Sequence, residues 1–165
     1  MALRILIAIL ILAIPIPAII FNEITFPLQI LATKLASALL QLFNVPVLRE
    51  GNIIQLSVMK LEVAEACSGI RSLMSLFTLA IFYGYFLEKS PLRRTILAVA
   101  SIPIAIAANA VRIFGTGLCV QYWDPDKAMG FFHEFQGWVM FLVSLGCLFI
   151  VHQVIGLIPA RKRHA

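Results

Sequence analysis

The residues of this chain best suited to covalent chemistry are a cysteine, an arginine and a histidine, each set at the edge of an apolar run or inside one. Glu65-Ala66-Cys67-Ser68-Gly69-Ile70-Arg71 puts a thiol where a long apolar helix should begin, with an arginine one turn further in. The positive end of the peptide dipoles and a neighbouring cation both favour thiolate, and thiolate is a nucleophile. Arg112 stands within another apolar run. An arginine inside a membrane span costs about 2.5–3.5 kcal/mol on insertion scales, so it is expected to face a cavity or a partner. Asn109, three residues earlier on the same helical face, is placed to orient the guanidinium. His133 opens the last apolar run and is the side chain type that carries protons near neutral pH.

Each of these has a plainer reading. A cysteine is commonly a small hydrophobe, which is how Cys147 and Cys119 are read. Arg112 could snorkel to headgroups, and His133 could belong to an aromatic belt with Phe131, Phe132 and Trp138. Arg71 either activates the thiol or, as the favoured reading, pairs with Glu65 or Glu62, because a buried arginine needs an anion. His152, near the far end of its helix, reads as structural.

The elements that must position these groups follow from composition. Of 165 residues, 61% are hydrophobic and 13% charged, with a mean hydropathy of +0.98. A soluble domain of that length could not hide so much apolar surface, so the solvent is lipid. No linker, repeat or low-complexity tract divides the chain, and residues 1–165 read as one transmembrane domain. The net charge of +5 comes from clusters at Lys89, Arg93, Arg94 and at Arg161, Lys162, Arg163, both beside ends of apolar runs. These are topology anchors rather than a nucleic-acid footprint. Zinc-like spacings, phosphate-loop glycines and dinucleotide fingerprints do not occur, so no metal or cofactor is expected.

Four runs are long enough to cross a bilayer: Leu3–Ile20, Ser68–Leu87, Thr95–Leu118 and Phe132–Ile158. The first lacks a small-x-small cleavage site and is read as retained. Phe26–Phe43 carries Gln29, Thr33, Ser37 and Gln41 at every fourth position, with Lys34 beside them. That pattern predicts an amphipathic helix with one wet face, in the interface or tilted against the bundle. In Val45–Val63, β-branched residues punctuated by Pro46 and Glu50-Gly51-Asn52 predict a small hairpin with strands at 52–58 and 60–63. The expected fold class is therefore an all-α integral membrane protein: four spans, one interfacial helix and a small extracytoplasmic hairpin.

The basic clusters place the loop 88–94 and the tail 161–164 on the cytoplasmic side. Parity then puts the hairpin, Cys67 and the loop 120–131 on the outer side. Arg112 should lie about 9 Å below the outer end of its helix if that end is near Leu118. Cys67, Arg112 and His133 are thus expected to converge on one shallow outward-facing pocket.

Three ordered blocks carry a resemblance. They are Glu65-Ala66-Cys67-Ser68-Gly69-Ile70-Arg71-Ser72-Leu73, Asn109-Ala110-Val111-Arg112-Ile113 and Phe132-His133-Glu134-Phe135-Gln136-Gly137-Trp138. Together they resemble the signature blocks of the exosortase/archaeosortase family. The likeness runs from about Phe26 to Phe149 and includes Arg49-Glu50-Gly51 and Ile102-Pro103-Ile104. It implies a multi-pass cell-membrane cysteine protease/transpeptidase, sortase-like in action but not in fold. Its partners would be membrane-anchored proteins ending in a sorting signal: a short motif such as Pro-Glu-Pro, a transmembrane helix and a basic tail. The family's proposed catalytic cysteine, arginine and histidine match Cys67, Arg112 and His133. Many members carry further helices ahead of this core, so the chain reads as a short or N-terminally truncated member. Two other readings stay open: a non-catalytic membrane scaffold retaining the core, and a small transporter in which Arg112 binds an anion.

Overall fold

A computed structural model of the chain describes residues 18–63, 70–123 and 131–157. In chain order these form α1 (Ala18–Leu42), β1 (Val47–Glu50), β2 (Ile53–Leu56), β3 (Lys60–Glu62), α2 (Ile70–Leu87), α3 (Pro91–Tyr122) and α4 (Phe131–Leu157). The expected span 3–20 falls almost wholly outside the described residues, as do Glu65, Cys67 and the tail at 161–164. Among the described residues, three stretches are long and apolar enough to cross a membrane: Ile70–Leu87, Pro91–Tyr122 and Gly137–Leu157.

The helix α3 is the axis of the molecule and packs against each of the other three helices. Pro91 opens it at a position where the missing N–H costs nothing. Its buried residues include Leu97, Ser101, Ala105, Asn109, Ile113, Thr116 and Val120, a stripe at spacings of three and four that marks one continuous face. Many residues on this stripe are small, which lets neighbouring helices approach closely. At Gly117 the approach is close: a Cβ there would stand 3.0 Å and 3.2 Å from the two terminal carbons of Leu40.

Two apolar cores divide this axis. One joins Leu76 and Ala80 of α2, Leu97 and Ala105 of α3, and Leu148 and Ile155 of α4. The other joins Ala36 and Leu40 of α1, Ile54, Leu56, Leu61 and Val63 of the strand region, and Ile113 and Val120 of α3. The strands therefore sit over the C-terminal third of α3.

The strand region is a three-stranded antiparallel meander in the order β1-β2-β3, one strand more than the expected hairpin. Only Gly51-Asn52 separates β1 from β2, and Gly51 adopts φ of +62°, as a type II′ turn requires of its first central residue. The hairpin expected at 52–58 and 60–63 is present as β2 and β3, and β1 adds a strand ahead of it across this turn. The run Val47-Leu48-Arg49-Glu50 of β1 has no apolar alternation to mark it as a strand, and in the fold it is mostly exposed.

The polar stripe of α1 corrects a second expectation. Thr25, Gln29, Thr33 and Ser37 are buried, while Phe26, Leu31 and Leu35 are exposed. The face expected to be wet is a packing face. Its hydroxyls are satisfied inside the helix: Thr33 Oγ1 donates to the Gln29 carbonyl at 2.6 Å, and Ser37 donates to the Thr33 carbonyl. A hydroxyl already bonded to its own backbone tolerates a dry contact. Gln41, the fourth member of the stripe, is exposed.

Candidate active site

Arg112 is buried, at 8% exposure, and Asn109 lies one turn before it at 6%. Ten further residues carry α3 to Tyr122, so Arg112 lies about 15 Å from the helix end rather than 9 Å. The difference arises because α3 does not stop near Leu118: its last turns are held against α1 and the sheet. Measured from the other end, Arg112 follows Pro91 by 21 residues, about 32 Å of helix, close to the thickness of a bilayer's hydrocarbon.

Around the guanidinium three helices meet. A small, partly open cavity of about 10 Å³ is lined by Ser72 of α2, Asn109 and Arg112 of α3, and Gly137 and Ser144 of α4, with apolar residues completing the wall. That is close to the room needed for one water molecule. A Cβ built on Gly137 would be 3.6 Å from Arg112 Nη1, so the guanidinium lies against the α4 backbone at this turn. Ser144 Oγ donates to the Met140 carbonyl at 2.7 Å, and Thr116 Oγ1 to the Arg112 carbonyl at 3.1 Å.

The other expected residues fall around this point unevenly. His133 belongs to α4 one helical turn before Gly137, and its side chain lies outside the described residues. Cys67 and Glu65 lie outside them altogether. The described residues on either side of that segment both lie at the Arg112 end. Val63 packs with Ile113 and Val120, and Ser72, in the first turn of α2, lines the same cavity as Arg112. Arg71 is exposed, which corrects the reading of a buried arginine in need of a carboxylate. Cys119 and Cys147 are half-buried within the helix packing, and among the described residues they form no disulfide.

Sequence reasoning passed over Ser72, Gly137 and Ser144. Small and hydroxylic residues are common throughout membrane bundles, and nothing in their spacing sets these three apart. It also left unpartnered a second polar cluster at the opposite end of the bundle. There Tyr83 Oη lies 2.7 Å from His152 Nδ1, and His152 Nε2 lies 3.0 Å from Glu88 Oε1. The carboxylate can only accept, so Nε2 carries the proton and a neutral ring accepts from Tyr83 at Nδ1. Arg93 stands 3.7 Å from the other Glu88 oxygen, and Arg94 Nε donates to the Glu88 carbonyl at 2.7 Å.

A buried guanidinium that lines a small, mostly apolar cavity between helices offers N–H donors to an oxygen carrying charge, in surroundings where water competes little. A family model described as transmembrane exosortase (Exosortase_EpsH) matches residues 1–150. The chain belongs to the transmembrane exosortase family. This exosortase is a multi-pass membrane protein, as the three long apolar helices among its described residues and its family together indicate. Comparison with curated proteins and with solved structures returned no match.

Proposed function

We propose that this exosortase is a sortase-like cysteine peptidase and transpeptidase. It would remove the C-terminal sorting signal of exported, membrane-anchored proteins. The observation that carries the reading is the buried Arg112 where α2, α3 and α4 meet, at the end of the bundle to which both flanks of the Cys67 segment lead.

Cys67 acts as thiolate and attacks the scissile carbonyl carbon, so that the oxygen of the tetrahedral adduct becomes negative. Arg112 donates N–H bonds to that oxygen, with Asn109 behind it as a positioning residue. As the C–N bond breaks, His133 gives its proton to the departing amine and leaves a thioester on Cys67. Water or an amine acceptor then attacks the thioester, with His133 taking the proton back from the nucleophile. A substrate held by its own membrane helix brings its scissile bond to this depth with little further loss of freedom. The whole chain acts as one core domain. Its basic clusters face the cytoplasm, and the sheet and reaction site face outward across the cell membrane.

The test is a tagged reporter ending in a Pro-Glu-Pro motif, a transmembrane helix and an arginine-rich tail, expressed together with the full chain. Cys67→Ala should leave the reporter at full length, and hydroxylamine should release a thioester-linked fragment from the unaltered enzyme. Unchanged processing in Cys67→Ala would mean that the core serves as a scaffold rather than a catalyst.

A further inference from the structure

The exposed edge of the small sheet lies a short stretch of chain from the proposed nucleophile. β3 pairs with β2 through Ile53↔Glu62, Ile54↔Leu61 and Gln55↔Lys60. Just beyond each end of that register, Leu56 N–H donates to the Met59 carbonyl at 3.0 Å and Val63 N–H to the Asn52 carbonyl at 2.9 Å. Inter-strand bonds of an antiparallel pair recur at every second residue. Met59, Leu61 and Val63 therefore bond towards β2, and Lys60 and Glu62 direct their N–H and C=O groups away from it.

Among the described residues no strand pairs with β3 on that far side. The edge thus offers two donors and two acceptors over about 7 Å. The strand is also firmly seated: Leu61 and Val63 are in the core, while Lys60 and Glu62 are exposed. Asn52 Nδ2 donates to the Val63 carbonyl at 3.3 Å and fastens the end of the ladder.

Cys67 follows Glu62 by five residues, a reach of at most about 17 Å of extended chain. A strand added to an edge lies about 4.8 Å from it. A peptide laid along β3 would therefore have its next few residues within reach of the Cys67 segment.

We propose that the β3 edge is the docking strand for the substrate. An extended segment of the sorted protein, next to its scissile bond, adds to the sheet as a fourth strand and bonds to the main chain of Lys60 and Glu62. The occupant is an extended polypeptide because the edge presents a main-chain pattern, which only a second main chain complements in register. Side-chain preference comes second: exposed Lys60 favours an acidic residue opposite it. This assignment rests on the peptidase reading above and names how that site holds its substrate.

Proline tests it cleanly, because at Lys60 or Glu62 it removes an N–H that makes no bond within the sheet, and edge strands accept proline at such positions. With the tagged reporter, Glu62→Pro should raise KM about 3–10-fold, the value of one lost hydrogen bond. The rise should exceed that of Glu62→Ala, leave kcat nearly unchanged and leave the rate of Cys67 alkylation by iodoacetamide as it was. Lys60→Pro should behave alike. Equal KM in the proline and alanine variants, with Cys67 still alkylated normally, would overturn the assignment.

If the proline variants do not fold, the unaltered enzyme can be challenged with Pro-Glu-Pro-containing peptides N-methylated at one amide at a time. Inhibition should be lost at alternate positions, and tolerance without a period of two would refute a docked strand. Processing abolished by Cys67→Ala but indifferent to the edge sinks only the docking strand. Processing that survives Cys67→Ala sinks the peptidase reading and this inference with it.

Discussion

At Arg112, lysine keeps the charge but loses the planar fork of donors, so charge and geometry can be separated. Arg112→Lys should lower kcat for the reporter about 10²-fold and Arg112→Ala by 10²–10³-fold, with smaller changes in KM, as for loss of an oxyanion donor. A Lys variant with full kcat would show that the positive charge alone suffices. The glycine facing Arg112 gives a graded version of the same test. Gly137→Ala puts a methyl group at ordinary contact distance, 3.6 Å from Nη1, and should keep kcat within about threefold. Gly137→Leu has no such room and should approach the loss seen in Arg112→Ala while the protein still inserts. That Arg112 would face a cavity between helices was legible in the sequence because a charge within an apolar run is costly wherever it sits. The part played by Gly137 was not, since a glycine declares its neighbour only once two helices are packed.

Among the elements, the α1–α3 crossing and the Tyr83–His152–Glu88 cluster carry separate predictions. Gly117→Ala overpacks the crossing and should cost about 1–3 kcal/mol in detergent unfolding. Combined with Leu40→Val it should cost less than the sum of the two single changes, because the residues are in direct contact. At the other end of the bundle, His152→Ala strips a hydrogen bond from a carboxylate that is only 8% exposed. It should destabilise by about 1.5–3 kcal/mol and Tyr83→Phe by about 1 kcal/mol, read from the same unfolding curves. His152 was already read as structural from its place near a helix end. Its partners were beyond sequence reasoning, because Tyr83 and Glu88 lie 69 and 64 residues away along the chain. The α1 stripe divides the same way. Its fourfold period showed a helix with two unlike faces, but which face turns inward depended on hydroxyls bonded to their own helix, which removes the penalty for burying them.

On the scale of the whole molecule, α3 is about 48 Å long, well beyond a hydrocarbon thickness of about 30 Å. At its C-terminal end α1 and the sheet cover α3, while the polar Tyr83–His152–Glu88 cluster stands near its N-terminal end. With native cysteines replaced by serine, an exposed cysteine at Ser57 should react with an impermeant maleimide from outside intact cells. One at Lys89 should react only after the cells are opened. Equal labelling of both from one side would overturn the proposed orientation. The sequence by itself determined that lipid is the solvent, where the three described spans run and which side chains are too costly to be passive, because these follow from composition and local period. Tertiary structure alone decided the depth of Arg112, the third strand and its bonding edge, the inward turn of the α1 stripe and the meeting of Ser72, Arg112 and Gly137. Each of these depends on contacts between residues far apart in the chain, and a local pattern shows that a face exists without showing what it meets.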